Sequence, residues 1–94
     1  MTTVVLKYFA LVREQLERTE EKASVDGDRV EDVLVWLRDR YGDKLIPFVM
    51  DQKARLRSDY RLLHNGTVCP KAAIPRTKIA DGDEIVIVPP VAGG

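Results

Sequence analysis

The stretch Glu84-Ile85-Val86-Ile87-Val88, followed at once by Pro89-Pro90, constrains the fold more than any other part of the sequence. Four β-branched apolar residues in succession leave no polar face for water, the pattern of a strand covered on both sides. Proline lacks the N–H that a ladder needs, so the run must stop where the prolines begin. Such a strand belongs in the middle of a sheet. Its expected neighbour is the first strand signal, residues 4–9, where Val4, Val5, Leu6, Lys7, Tyr8 and Phe9 form a β-rich run without a breaker.

Between these two runs the pattern changes several times. Residues 10–15 read as a short helical turn, with Leu11, Val12 and Leu16 as its apolar positions. A polar segment over 17–22 leads to a second short strand at 22–25, closed by the Asp26-Gly27 turn signal. Residues 28–41 form the clearest helix. Asp28 is placed to cap its free N–H groups, and Glu31 three residues later completes a capping-box pattern. Val30, Val33, Leu34, Leu37 and Tyr41 recur at spacings of three and four, which gives one apolar stripe. Gly42 stands where a left-handed cap would end the helix. Val35 and Trp36 fall off the stripe, either under a neighbouring loop or exposed to a partner.

Residues 43–59 read as a long connection with one short helix, since Pro47 breaks anything longer. Tyr60-Arg61-Leu62-Leu63-His64, then Asn65-Gly66, then Thr67-Val68-Cys69 is a hairpin, because Asn-Gly accepts the positive φ angles of a tight turn. Asp81-Gly82-Asp83 is the turn that delivers the last strand. Strand, strand, helix, connection, hairpin and strand make an α+β domain over residues 1–88, with one main helix packed on one sheet face. Residues 89–94 are left as a flexible tail.

Composition limits the function. The 94 residues suffice for one domain, and an apolar content of 45% supports one modest core. Fifteen basic and fifteen acidic side chains balance, so no global field draws in nucleic acid or an anionic membrane. The local basic cluster Lys53, Arg55, Arg57 and Arg61 reads as a solvated loop face, with docking to an acidic partner as the alternative. A lone cysteine, Cys69, rules out an internal disulfide and fits a reducing compartment. Met1-Thr2-Thr3-Val4 has no basic leader, and no apolar run is long enough to span a bilayer, so a cytoplasmic location is expected.

Enzyme machinery is sparse. One His and one Cys cannot build a multi-ligand zinc site. His64 and Cys69 flank the hairpin turn as base and nucleophile would, but a turn histidine beside a small buried hydrophobe is the plainer reading. The pairs Glu20–Glu21 and Asp81–Asp83 read as solvated loop carboxylates, lacking the desolvation a general acid requires. No metal ligands and no stably bound cofactor are expected.

The tail is different. Pro89 and Pro90 favour extended polyproline geometry, which carries the chain away from the globule. Val91 and Ala92 are slim and apolar, and Gly93-Gly94 can enter a channel that any Cβ would obstruct. Residues 89–94 reach roughly 20 Å when extended. A carboxylate at that distance could enter another protein's active site while the globule stays outside.

Asp81-Gly-Asp-Glu-Ile-Val-Ile-Val-Pro-Pro-Val-Ala-Gly-Gly94 resembles the C-terminal signature of the ubiquitin-like sulfur carriers, above all the small subunit of molybdopterin synthase (MoaD). Leu6-Lys-Tyr-Phe-Ala-Leu-Val-Arg-Glu14 is similar to that family's first strand and short helix. The resemblance implies a β-grasp fold with a mixed sheet. It implies that the Gly94 carboxylate is adenylated by an ATP-dependent, MoeB-like activating enzyme and converted to a thiocarboxylate. Catalysis would belong to the partners, among them a MoaE-like large synthase subunit that receives the tail. The connection over 43–59 looks more like archaeal members, some of which are also joined to target-protein lysines as modifiers. Conjugation through Gly94, or sulfur supply to another pathway such as thiazole synthesis, therefore stands as the alternative. Phe9 and Ile87, with Val91, are the expected partner-docking residues.

Overall fold

The computed structural model describes residues 1–90, so the expectations for Val91, Ala92, Gly93 and Gly94 lie outside the described residues. Five strands form one sheet: β1 (Thr2–Tyr8), β2 (Glu20–Val25), β3 (Arg61–His64), β4 (Thr67–Val68) and β5 (Glu84–Val88). Two α-helices accompany them, α1 (Ala10–Leu16) and α2 (Val30–Leu45), with a 3-10 turn at Lys71–Ala73. The strand order is β2-β1-β5-β3-β4. β1 and β5 pair in parallel, and the remaining pairs are antiparallel. The apolar last strand is therefore central and beside the first, as its composition requires. This mixed sheet grasping one long helix is the β-grasp arrangement.

Strand alternation decides which side chains meet the helix. Val4, Leu6 and Tyr8 of β1, Leu62 of β3, and Ile85 and Ile87 of β5 are buried with Val30, Val33, Leu34 and Leu37 of α2 in one core. Burying each such side chain contributes about 1.5–3 kcal/mol. Val12 and Leu16 of α1 join that core, whereas Leu11 stays exposed.

The helix departs from its expected limits at both ends. It starts at Val30, with Arg29 in the cap position, so neither Asp28 nor Glu31 caps it. The acceptor is instead Asp32, whose Oδ2 takes the Arg29 N–H at 3.0 Å. Gly27 makes room for this, since a Cβ there would stand 2.2 Å from that same oxygen. At the other end the helix breaks at Tyr41 (φ −128°, ψ 21°), its expected last residue, and a short second helical segment continues past Gly42 to Leu45, just before Ile46-Pro47. Extending the helix buries Leu45, and the residue before a proline disfavours helical backbone.

The connection after α2 holds no further α-helix. It is a folded loop nonetheless: Val49, Met50, Ala54 and Leu56 are buried, and a Met50–Leu56 bridge closes it. Asp51 organises its tip, accepting the N–H groups of Lys53 and Arg55 through Oδ1 and Arg55 Nε through Oδ2. Val35 is partly buried against the core and lines a groove together with Ala54 and Leu56 of this loop. Trp36 stacks edge-on with Tyr41, ring centres 6.1 Å apart, under the Arg40 guanidinium. The hairpin forms at Asn65-Gly66, both with positive φ.

Candidate functional site

The root of the tail is set by β5. Its last residue, Val88, pairs with Arg61 at the start of β3, while Ile87 pairs in parallel with Tyr8 at the end of β1. Parallel pairing puts both strand ends at the same edge, so Phe9 emerges beside Val88. The chain turns there into α1, with Phe9 still extended and Ala10 at φ 51°. Phe9 is left 48% exposed at the point where the tail departs. Pro89 is half-buried and Pro90 exposed.

Ile87 does not share this exposure. At 1% accessible it lies in the core beneath α2, and it cannot serve as a docking residue. The alternation along β5 sends Ile85 and Ile87 to the helix side and Val86 and Val88 to the other. On that second face Val86 lies in register between Lys7 and Leu63, Val5 stands opposite Glu84 and Val88 opposite Arg61, with the exposed Val68 opposite Leu63 at the edge. This band of alternating apolar and charged side chains runs up to Val88. Sequence inspection missed it, although the Leu63–Val68 pairing across a two-residue turn was readable. Lys7 and Glu84 form an ion pair of 3.0 Å within the band, and the Glu84 hydrogen bond raises the lysine pKa.

The start of β3 is held from behind. Lys71 Nζ donates to the carbonyls of Tyr60 at 2.6 Å and Ser58 at 3.1 Å. These bonds fix the segment that leads into Arg61, the partner of Val88.

At the opposite sheet end His64 Nε2 lies 2.7 Å from Asp83 Oδ2, which also accepts the Ala80 N–H. The hydrogen bond from His64, reinforced by that from Ala80, holds the Asp83 carboxyl below the usual carboxylate range. Asp83 is thus a structural acceptor, not a solvated turn residue. Cys69 is buried, with Pro70 and Thr77 as its hydrogen-bond partners. His64 and Cys69 therefore engage different groups, and nothing links them as base and nucleophile.

Glu21 also departs from expectation. Its side chain is 10% accessible and accepts hydrogen bonds from Tyr8, Tyr41 and Arg18. Burial, then the bond to Glu21, pushes the Tyr8 phenol far above its ordinary pKa, so it remains a donor. The cluster ties β1, β2 and α2 together. Lys53, Arg55, Arg57 and Arg61 are all exposed.

Among the described residues no group of three His, Cys, Asp or Glu side chains is placed to hold a metal ion. None of their helices is long and apolar enough to cross a membrane.

Comparison with known proteins adds to this geometry. A model of the ThiS family matches residues 6–94. Among curated proteins no match is found. The solution structure of small archaeal modifier protein 1 from Methanosarcina acetivorans is similar at 34% identity and a TM-score of 0.79, covering 100% of this chain and 98% of that one. The crystal structure of its namesake from Haloferax volcanii is similar at 29% identity and a TM-score of 0.79, covering 98% and 99%. A candidate molybdopterin converting factor, subunit 1, from Pyrococcus furiosus is similar at 27% identity and a TM-score of 0.74, covering 97% and 100%.

Proposed function

This chain belongs to the ThiS family, and on that premise we propose that it carries sulfur on Gly94 for molybdenum- or tungsten-cofactor synthesis. The observation that carries the proposal is the central placement of β5, which ends at Val88 at the sheet edge and is followed at once by Pro89-Pro90. The fold is that of a small ubiquitin-like carrier, and the chain supplies a reacting group and a docking surface.

In the proposed sequence an ATP-dependent, MoeB-like enzyme binds the carrier. A Gly94 carboxylate oxygen attacks the α-phosphorus of ATP, and pyrophosphate leaves. The resulting mixed anhydride has a good leaving group where the free carboxylate had none. Hydrosulfide then adds to the carbonyl carbon, AMP departs with the bridging oxygen, and a proton is released, leaving a thiocarboxylate. A MoaE-like large subunit receives residues 89–94; the thiocarboxylate sulfur bonds to a carbon of a precursor pterin in place of an oxygen substituent, and water then cleaves the acyl–sulfur bond, leaving sulfur on the pterin and restoring the Gly94 carboxylate. Phe9, with Val5, Leu63, Val68 and Val88 on the open sheet face, is the surface that a partner would cover. Incubating the chain with its cognate activating enzyme, ATP and a sulfide source, then weighing it intact, tests the idea. Exchange of one terminal oxygen for sulfur is expected; an unchanged mass would overturn it.

The likeness to two small archaeal modifier proteins favours a second reading, in which Gly94 is joined to target-protein lysines. The last basic residue is Lys78, so trypsin would leave residues 79–94 attached to a modified lysine. Finding that remnant in cell digests would support conjugation, and its absence with sulfur both replete and limiting would exclude it.

A further inference from the structure

β3 begins at a braced turn. The Tyr60 N–H donates to the Arg57 carbonyl at 3.1 Å, and Lys71 Nζ holds the Ser58 and Tyr60 carbonyls. Tyr60 is buried, which fixes the turn against the core and leaves Arg57, Asp59 and Arg61 exposed around it. Arg61 is thereby presented from a fixed backbone.

Register and alternation decide where its side chain goes. Leu62 is buried on the helix side, so Arg61 and Leu63 face the open side of the sheet. Arg61 stands opposite Val88, the last residue of β5, with Cβ atoms about 5 Å apart. Phe9, which follows β1 at the same edge, is exposed as well. A guanidinium is thus set beside apolar side chains at the point where the chain leaves the sheet. On the same face Lys7 is closed onto Glu84 at 3.0 Å. Arg18, Arg29, Arg38 and Arg55 each meet a carboxylate elsewhere. Among the described residues Arg61 forms no ion pair, and neither does Asp59 two positions before it.

We infer that Arg61 is a specificity-determining residue, engaged by a carboxylate of the activating enzyme when that enzyme takes up the carrier. This deepens the carrier reading and rests on it. An enzyme that covers Phe9, Leu63 and Val88 also removes water from the guanidinium beside them. Desolvating an unpaired cation is unfavourable, so a surface that fits this edge must bring an acceptor of opposite charge. A carboxylate suits the position, because guanidinium N–H groups meet both of its oxygens at once. A surface that is apolar throughout, or that carries a cation at this point, is rejected by the same charge.

The rate of ATP–pyrophosphate exchange by the activating enzyme, followed against carrier concentration, provides the test. Arg61→Glu should raise the KM for the carrier about tenfold and leave kcat near its wild-type value. Arg61→Lys keeps the charge but loses the paired geometry, and its KM should fall between the two. Lys78→Glu makes the same change of charge near the start of α2, where residue 78 is bridged to Arg29, and should leave KM unaltered. Thermal unfolding checks that each variant is folded. An unchanged KM for Arg61→Glu would overturn the inference. So would an equal rise for Lys78→Glu, which would reduce the effect to net charge. A loss confined to kcat would overturn it too, by placing Arg61 at the reacting groups. Wild-type protein that supports no exchange would sink the carrier reading itself, so the two failures are distinguishable.

Discussion

The two ends of β5 are built for opposite purposes. Where the strand begins, side chains sew the turn down: Asp81 accepts the Thr3 N–H, Asp83 joins His64 to Ala80, and Asn65 both donates to and accepts from Glu84. Where it ends, Val88 is followed by two residues that cannot donate to a ladder, beside an exposed Phe9. A strand anchored firmly at entry can be left open at exit without losing its register. The sheet thereby fixes the position of Val88, the last residue of the strand, by pairing it with Arg61.

The largest expected effect breaks the exit end. Deleting Gly93-Gly94 should abolish sulfur loading, measured by intact mass, while the thermal midpoint stays at its wild-type value. At the entry end the effect should reverse. Asp83→Ala removes the acceptor for His64 and Ala80 at a largely covered site, so about 1–2 kcal/mol of stability should be lost. Urea titration measures this, and loading of the still-folded protein should persist.

The third expectation concerns pH at the same turn. Asp83 has its pKa lowered in the folded protein, so its contribution is fully present above the unfolded carboxylate value of about 3.9. That contribution is lost as pH falls from there through the folded value. The difference in urea midpoint between wild type and Asp83→Asn should shrink over that acidic window; a constant difference would contradict the assignment. The smallest effect belongs to Phe9→Ala, which should change stability by no more than about 0.5 kcal/mol. A weakened affinity for the activating enzyme in binding calorimetry would place Phe9 on the docking surface.

Much of this contrast was readable from residues alone. The run from Glu84 to Val88 has one sensible location, and Asn65-Gly66 has one sensible turn. The side each β5 residue faces was hidden, because a run without polar positions carries no phase; Ile87 was misread for that reason. The loop over 46–57 was illegible for another reason. Val49, Met50, Ala54 and Leu56 fold inward at no regular period, and Asp51 organises them through backbone bonds that leave no pattern. The cap of α2 slipped to Asp32 because Gly27 lets the chain approach that carboxylate closely. The Gly94 assignment rests on the sequence pattern and the family to which the chain belongs.

The parallel pairing of β1 with β5 also bears on how the molecule is made. Val5 and Glu84 are roughly eighty positions apart, so the central contact of the sheet is among the last to become available during synthesis. A nascent chain can form the β1–β2 hairpin and α2 early, yet Leu6 and Tyr8 keep one open edge until the final strand leaves the ribosome. A copy cut short before Glu84 would lack that strand and the glycines beyond it together. Closure of the sheet is thereby deferred to the end of synthesis, and a copy that stops short of it keeps the β5 side of β1 open.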